Sequence, residues 1–278
     1  MAIRIITDST ADFTPEEIKS CGIEIVPLKV IFGQQEYLDG ITITKEEFYE
    51  KLIHGGVFPT TSQPTPNDFI ELFEEAKAVG DEVLVFLISS KLSGTYQSAL
   101  LAKDYLDYSP IYLVDTYSAS IGIKILVQYA LKLRDENKTA TEIYEIIEKE
   151  KSRISIKAVV DTLEFLVKGG RLSKVAGFAG SLLSVKPLIE VPGEVKLFGK
   201  VRGKKAALEA LYKAILKDGG IDLSLPVLLG YTAENSLAIE LKQYLEEHGI
   251  HVEDMVGIGS VIGTHAGPNA CAISYFRK

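Results

Sequence analysis

Short runs of nearly uninterrupted apolar residues, each followed by a helix-start signal, recur through the first half of the chain. Ile3–Thr7, Ile23–Val30, Val83–Ile88 and Ile111–Val114 are too short for buried helices and read as strands. The helix starts between them are explicit. Thr14-Pro15-Glu16-Glu17 sets a hydroxyl at the N-cap, proline at the first helical position and a glutamate at the third, and Thr44 to Glu47 repeats the box. Thr65-Pro66 opens a helix over Asn67–Ala78, and further helices are expected over Ser93–Leu106, Ala119–Arg134 and Thr141–Lys151. On the Ser93–Leu106 helix, Leu100, Leu101 and Tyr105 are expected to share one face. Strands apolar on both faces and separated by helices indicate a parallel sheet covered on both sides.

The second half breaks this rhythm. Lys157–Val160 reads as a strand, Leu163–Val167 as a short helix and Val175–Leu183 as a helix of small residues. Pro187–Val191 and Val195–Phe198 flank Pro192-Gly193, a turn signal that makes them a hairpin. Helix Lys204–Lys217, strand Val227–Tyr231, helix Asn235–Glu247 and strands His251–Ile258 and Ala270–Phe276 complete the pattern. A hairpin inside an α/β alternation requires a mixed sheet. The expected fold is therefore α/β in two domains. Residues 1–153 form a Rossmann-like parallel sheet flanked by helices, and residues 154–278 form an α/β domain with a mixed sheet.

Charge divides the same way. Residues 1–153 carry 15 Lys+Arg against 25 Asp+Glu, a net −10, and residues 154–278 carry 15 against 13, a net +2. An acidic total of −8 makes nucleic acid a poor partner. The basic stretch Lys196–Lys205 lacks stacking aromatics beyond Phe198. No apolar run approaches the ~18 residues of a membrane helix, so stable membrane insertion is not expected. The first acidic residue, Asp8, comes too early for a secretory signal, and the two distant cysteines, Cys21 and Cys271, suit a reducing compartment. A cytoplasmic protein is expected. The sequence has no G-x-S-x-G elbow, no G-x-x-x-x-G-K-[ST] loop and no H-E-x-x-H, and no G-x-G-x-x-G follows the first strand. His248 and His251 read as a turn and His54 as a helix-end residue, so no metal site is expected.

Ligands of open parallel sheets bind beyond the carboxyl ends of the strands. Here those ends are rich in hydroxyls: Thr7 to Thr10, Ser89 and Ser90 with Ser93-Gly94-Thr95, and Thr116, Ser118 and Ser120, with Thr60-Thr61-Ser62 just before the Thr65 cap. Capping is the commonest role of any one of them. Together they describe a polar crevice suited to an anion, in which Ser93 is best placed because Gly94 lets a ligand approach the backbone. Arg171, in Gly169-Gly170-Arg171, and His265, in Gly263-Thr264-His265-Ala266-Gly267-Pro268, are the groups able to supply positive charge or handle a proton.

These motifs, in order, resemble the DegV family of bacterial fatty-acid-binding proteins, which includes the FakB-type subunits of fatty acid kinase. The resemblance runs through Thr7-Asp8-Ser9-Thr10-Ala11-Asp12, Thr60 to Pro64, Ser93 to Ala99, Asp161 to Leu166, Gly170 to Ser173, Lys186-Pro187 and His265 to Pro268. It implies one long-chain fatty acid, such as palmitate, between two domains. Its carboxylate would be held at Thr61, Ser93, Gly94 and His265, with Ser9, Ser62, Thr95 and Ser118 as a secondary polar crevice. It implies no metal and no cofactor on this chain. A partner kinase would bring ATP and magnesium and convert the bound acid to an acyl phosphate, with Arg171 and His265 in support. On that reading the chain is not itself an enzyme but a carrier, expected to be a monomer, with Leu163–Val167, Phe178–Val185 and Pro187–Val191 as candidate tunnel walls. The alternative reading is an autonomous enzyme on a small phosphorylated or carboxylated metabolite, with His265 as base or phosphoryl acceptor.

Overall fold

The computed structural model describes residues 2–172 and 185–278. The expected helix over Val175–Leu183 and most of the Phe178–Val185 wall lie outside the described residues. In chain order the first elements are β1 (Ile3–Asp8), α1 (Pro15–Cys21), β2 (Ile23–Val26), β3 (Lys29–Phe32), β4 (Gln35–Leu38), α2 (Lys45–His54), β5 (Thr60–Ser62) and α3 (Pro66–Val79). Then come β6 (Glu82–Leu87), α4 (Thr95–Leu106), β7 (Ile111–Asp115), α5 (Ile121–Asp135), α6 (Ala140–Glu150), β8 (Ile154–Val159) and α7 (Glu164–Lys168). The last are β9 (Val185–Glu190), β10 (Lys196–Arg202), α8 (Lys204–Lys217), β11 (Leu228–Tyr231), α9 (Ser236–Glu247), β12 (Asp254–Gly257), α10 (Ser260–Ala266) and β13 (Cys271–Phe276).

The fold class is α/β, as the apolar alternation requires. Strands β2-β1-β6-β7 form a parallel sheet in that order. Strands β10-β9-β8-β13-β11-β12 form a mixed sheet in which β9 and β10 are the antiparallel hairpin around Pro192-Gly193. The capping boxes at Thr14 and Thr44 are both made, with Glu17 and Glu47 returning to the cap N–H groups.

Three local expectations differ. Ile23–Val30 is two strands, not one: β2 ends before Pro27, which cannot donate to a ladder, and β3 joins a separate antiparallel sheet, β4-β3-β5. On α4 the buried face is Thr95, Ser98, Ala99, Ala102 and Leu106, while Leu101 and Tyr105 are 50% and 74% exposed. The small residues Ala99 and Ala102 let α4 lie close on α3, so the larger side chains point outward. The expected strand over His251–Ile258 shrinks to Asp254–Gly257, because its partner β11 offers only four residues of register.

The core is continuous between the parallel and mixed sheets. Helix α5 lies between them, burying Ile123, Leu126 and Val127 against Ile5, Leu84 and Phe86 on one side and Ile156 and Ala272 on the other. Gly122 permits that approach, since a Cβ there would stand 2.6 Å from Ile156 Cδ1. Lys124 on the same helix is 1% exposed, paired with Glu17 at 2.6 Å and lying 5.0 Å from the centre of the Phe13 ring. Among the described residues no helix is long and apolar enough to cross a membrane.

Candidate functional site

The loops that follow β1, β6 and β7 gather at one end of the parallel sheet because parallel strands share a direction. A cavity of about 450 Å³ lies there, between that end, the β5 strand, helices α7 and α10, and the β9–β10 hairpin. Its walls are mainly apolar: Leu28, Ile88, Leu92 and Ala119 come from the first half of the chain, and Leu166, Ile189, Val191, Val195, Val261 and Ile262 from the second. Leu166, Ile189 and Val191 fall within segments read from the sequence as tunnel walls. Among the described residues its polar side chains are Thr61, Ser62, Gln63, Ser93, Arg171 and His265.

Thr61 sits on β5, whose pairing with Val30 of β3 fixes its register. His265 sits in the last turn of α10. The two residues, 204 positions apart, share a hydrogen bond of 2.9 Å between Thr61 Oγ1 and His265 Nε2. Burial, and secondarily the Arg171 guanidinium, push the His265 pKa down to about 4, so the ring is neutral at pH 7. Its Nδ1 is buried without a partner among the described residues and faces Gly169. Arg171 donates from Nε to the Leu92 carbonyl at 3.1 Å and from a terminal nitrogen to the Gly169 carbonyl at 2.7 Å. Half-burial lowers its pKa, but the guanidinium stays charged at any physiological pH.

Ser93 Oγ bonds Thr95 Oγ1 at 2.8 Å and accepts from the Thr95 N–H at 3.3 Å, so Thr95 stands behind Ser93 at the start of α4. Gln63 lies across Gly94, donating to its carbonyl at 3.2 Å and to Ser98 Oγ at 3.0 Å. A Cβ on Gly94 would stand 2.6 Å from the Gln63 amide carbon, so a larger residue there would push the Gln63 amide off this bridge. The structure thus brings Thr61, Ser62, Ser93, Arg171 and His265 onto one cavity, with Gly94 and Thr95 immediately behind. Ser9 and Ser118 are not on its wall. Ser9 Oγ accepts the Leu28 N–H at 3.1 Å, and Ser118 Oγ is buried next to Gly122.

A group not anticipated from the sequence lies behind α10. Asp8, Asp12 and Asp39 are at most 5% exposed. Asp8 accepts the Ile88 N–H at 2.7 Å, Asp12 the Gly259 N–H at 2.7 Å and the Ser120 hydroxyl at 2.5 Å, and Asp39 the Ser260 N–H at 3.0 Å and hydroxyl at 2.6 Å. Burial pushes the Asp8 and Asp12 carboxyls up to about 6 and raises Asp39 as well. Asp8 and Asp12 are visible as part of a sequence motif, but nothing in the pattern marks three acids as buried. Among the described residues no group of three or more His, Cys, Asp or Glu is arranged to hold a metal ion.

The family model described as "Uncharacterised protein, DegV family" matches residues 2–278. A DegV domain-containing protein of Caldanaerobacter subterraneus is 37% identical over 281 residues, covering 99% of each chain. A solved structure of a fatty-acid-binding DegV family protein from Thermus thermophilus superposes with a TM-score of 0.90 at 33% identity, covering 100% of both chains. A stearic-acid-binding protein from Eubacterium ventriosum gives 0.89 at 26% identity, covering 100% of this chain and 99% of that one. Matched along its length by the family model and by these relatives, the chain belongs to the DegV family.

Proposed function

We propose that this protein binds one long-chain fatty acid, with the acyl chain in the apolar cavity and the carboxylate at Thr61, Ser93 and His265. The observation that carries this reading is the segregation within one 450 Å³ cavity: apolar walls over most of its surface, and hydroxyls, a neutral imidazole and a guanidinium among its few polar groups. About a dozen methylenes at ~0.8 kcal/mol each supply roughly 10 kcal/mol of gross driving force, part of which is lost to association and chain ordering. The head group sets direction. If His265 Nε2–H donates to Thr61 Oγ1, the Thr61 hydroxyl hydrogen is left to donate to a carboxylate oxygen, and Ser93 Oγ offers a second donor. The backbone N–H of Gly94 stands beside them.

Residues 1–153 and 154–278 act on this reading as two lobes that share the site, so neither lobe alone holds the ligand. The protein works as a monomeric, cytoplasmic carrier rather than an enzyme. It presents the carboxylate to a partner kinase, which supplies ATP and magnesium and forms the acyl phosphate. Arg171 borders the cavity beside His265, and its partners among the described residues are neutral carbonyls, so it can stabilise charge gained by the head group. An autonomous enzyme using His265 as base is less well supported, because a pKa of about 4 makes the ring a weak base and Nε2 is already engaged by Thr61.

The test is organic extraction of natively purified protein followed by mass spectrometry, with titration of delipidated protein by palmitate. The expected result is a retained fatty acid, micromolar or tighter rebinding, and at least tenfold weaker binding by the Thr61→Ala/Ser93→Ala double variant. An empty protein that refuses added palmitate overturns the proposal. Unchanged affinity in the double variant moves the head group elsewhere.

A further inference from the structure

Four side chains from the first 50 residues converge on the segment that leads into α10. Asp12 Oδ1 accepts the Gly259 N–H and Asp39 Oδ1 accepts both donors of Ser260. Lys45 Nζ donates to the Gly257 carbonyl, and the Tyr49 hydroxyl donates to the Ile258 carbonyl at 3.0 Å. The segment has no slack. A Cβ on Gly259 would stand 2.9 Å from Asp12 Oδ1, and one on Gly263 would stand 2.6 Å from the Tyr49 hydroxyl and 2.7 Å from the Phe48 ring. Asp12 is itself held through its second oxygen by Ser120, just before α5.

We propose that Asp12 and Asp39 are positioning residues for the ligand head group: by fixing the first residues of α10 they set where His265, and through it the Thr61 hydroxyl, points. This rests on the fatty-acid reading above. Ser260 and His265 are five residues apart, about 7.5 Å of helix rise. A rigid helix of this length transmits a displacement at its start to its end almost undiminished. Neither aspartate lines the cavity, so their effect on a ligand is indirect, and α10 is the element that joins both of them to a head-group residue.

Burying two carboxylates costs stability, and burial shows itself in their raised pKa values. A neutral acceptor could cap one N–H. It could not take two donors on one Asp39 oxygen, or one on each Asp12 oxygen, as strongly as an ionised carboxylate does. The arrangement therefore favours a fixed helix start over maximum stability.

The experiment is a double-mutant cycle in palmitate affinity, measured by displacement of a fluorescent fatty acid, over wild type, Asp39→Asn, His265→Ala and their combination. Alongside it, the His265 ring signals of ligand-free, ¹⁵N-histidine-labelled protein are compared between wild type and Asp39→Asn. The expected result is a five- to twentyfold loss for Asp39→Asn in the wild-type background and less than twofold in the His265→Ala background, with shifted or broadened His265 signals. Equal losses in both backgrounds, or unmoved His265 signals, overturn the proposal and leave the aspartates as general structural supports. Asp12→Asn should behave alike, and Ser260→Ala, which removes only the hydroxyl bond to Asp39, gives a milder change of the same kind if either asparagine variant fails to fold. Wild-type protein that binds no palmitate defeats the fatty-acid reading, while the ring signals still decide the role of the aspartates.

Discussion

Gly169→Ala perturbs the head-group site without removing a polar atom from it. Gly169 lies just after α7 at φ −75°, a conformation that alanine adopts freely, so the backbone imposes no penalty. The added methyl meets the His265 ring instead: it would stand 2.8 Å from Cε1 and closer still to Nδ1. Carbon atoms in contact prefer ~3.5 Å or more, so the ring must retreat by roughly 0.7 Å at Cε1 and by more at Nδ1. Moving the ring in either sense takes Nε2 off its 2.9 Å bond to Thr61. Overpacking of this kind costs about 1–3 kcal/mol, and the lost chain entropy of a Gly→Ala change returns ~0.4–1, so a net destabilisation of roughly 0.5–2 kcal/mol is expected. In ligand affinity the disturbed hydrogen bond is worth ~0.5–1.5 kcal/mol, and more when it orients a donor to a charged group, which predicts palmitate binding weakened about 3- to 30-fold. Calorimetric titration of delipidated protein reads the affinity, and a crystal structure of the variant reads the ring. Affinity within twofold of wild type, with the ring displaced, would refute the link between His265 geometry and head-group binding.

Other perturbations probe other parts of the molecule. His265→Gln should flatten the pH dependence of stability: the unfolded imidazole protonates near 6.5 and the folded one only near 4, so wild type loses up to about 3 kcal/mol relative to the variant as pH falls across that window. Asp8 and Asp12 act in the opposite sense as pH falls below about 6, but they are common to both proteins, so urea melts at several pH values isolate the histidine, and parallel curves would count against it. Ala119→Leu places extra carbons inside the cavity and should exclude roughly two or three methylenes at ~0.8 kcal/mol each, weakening palmitate tenfold or more while sparing acids a few carbons shorter. Lys157 is 5% exposed between Glu190 and Asp218, the latter at 2.9 Å, and Lys157→Met leaves two carboxylates facing each other; a loss of about 2–4 kcal/mol in denaturant melts is expected.

The sequence carried most of the framework because the framework rests on local chemistry. Capping boxes at Thr14 and Thr44 and the apolar runs of β1, β6 and β7 state their structure within a few residues. What escaped it depends on distant partners. Strand β5 is Thr60-Thr61-Ser62, three hydroxyl residues that become a strand only because β3 pairs with them. Helix α10 contains Val261, Ile262, Gly263 and Thr264, which are poor helix formers, and holds its shape because its start is bonded to Asp12 and Asp39. The exposure of Leu101 and Tyr105 follows from α3 lying close on the alanines of α4, which periodicity alone does not order. Arg171 and His265 were legible as chemically able residues, but the 2.9 Å bond that ties His265 to Thr61 spans 204 positions.

The placement of charge distinguishes holding from exchanging. Around the Gly257–Ser260 segment, which should not move, the groups include buried carboxylates with no solvent to compete and a lysine on a carbonyl. Facing the cavity, the hydroxyls of Thr61 and Ser93 are individually weak donors, Thr61 is oriented by a neutral His265, and Arg171 is already occupied by two carbonyls. A carboxylate held by neutral donors gives up only a few hydrogen bonds when it leaves, and water replaces each of them. A buried ion pair at the same place would leave an unpaired charge behind on release, a cost of several kcal/mol on every exchange. If the lipid is held by its tail and released at its head, as proposed above, the first arrangement serves better. The rigid charged socket behind α10 is what allows weak donors to be enough, because their geometry is fixed before the ligand arrives and little ordering is left for binding to oppose.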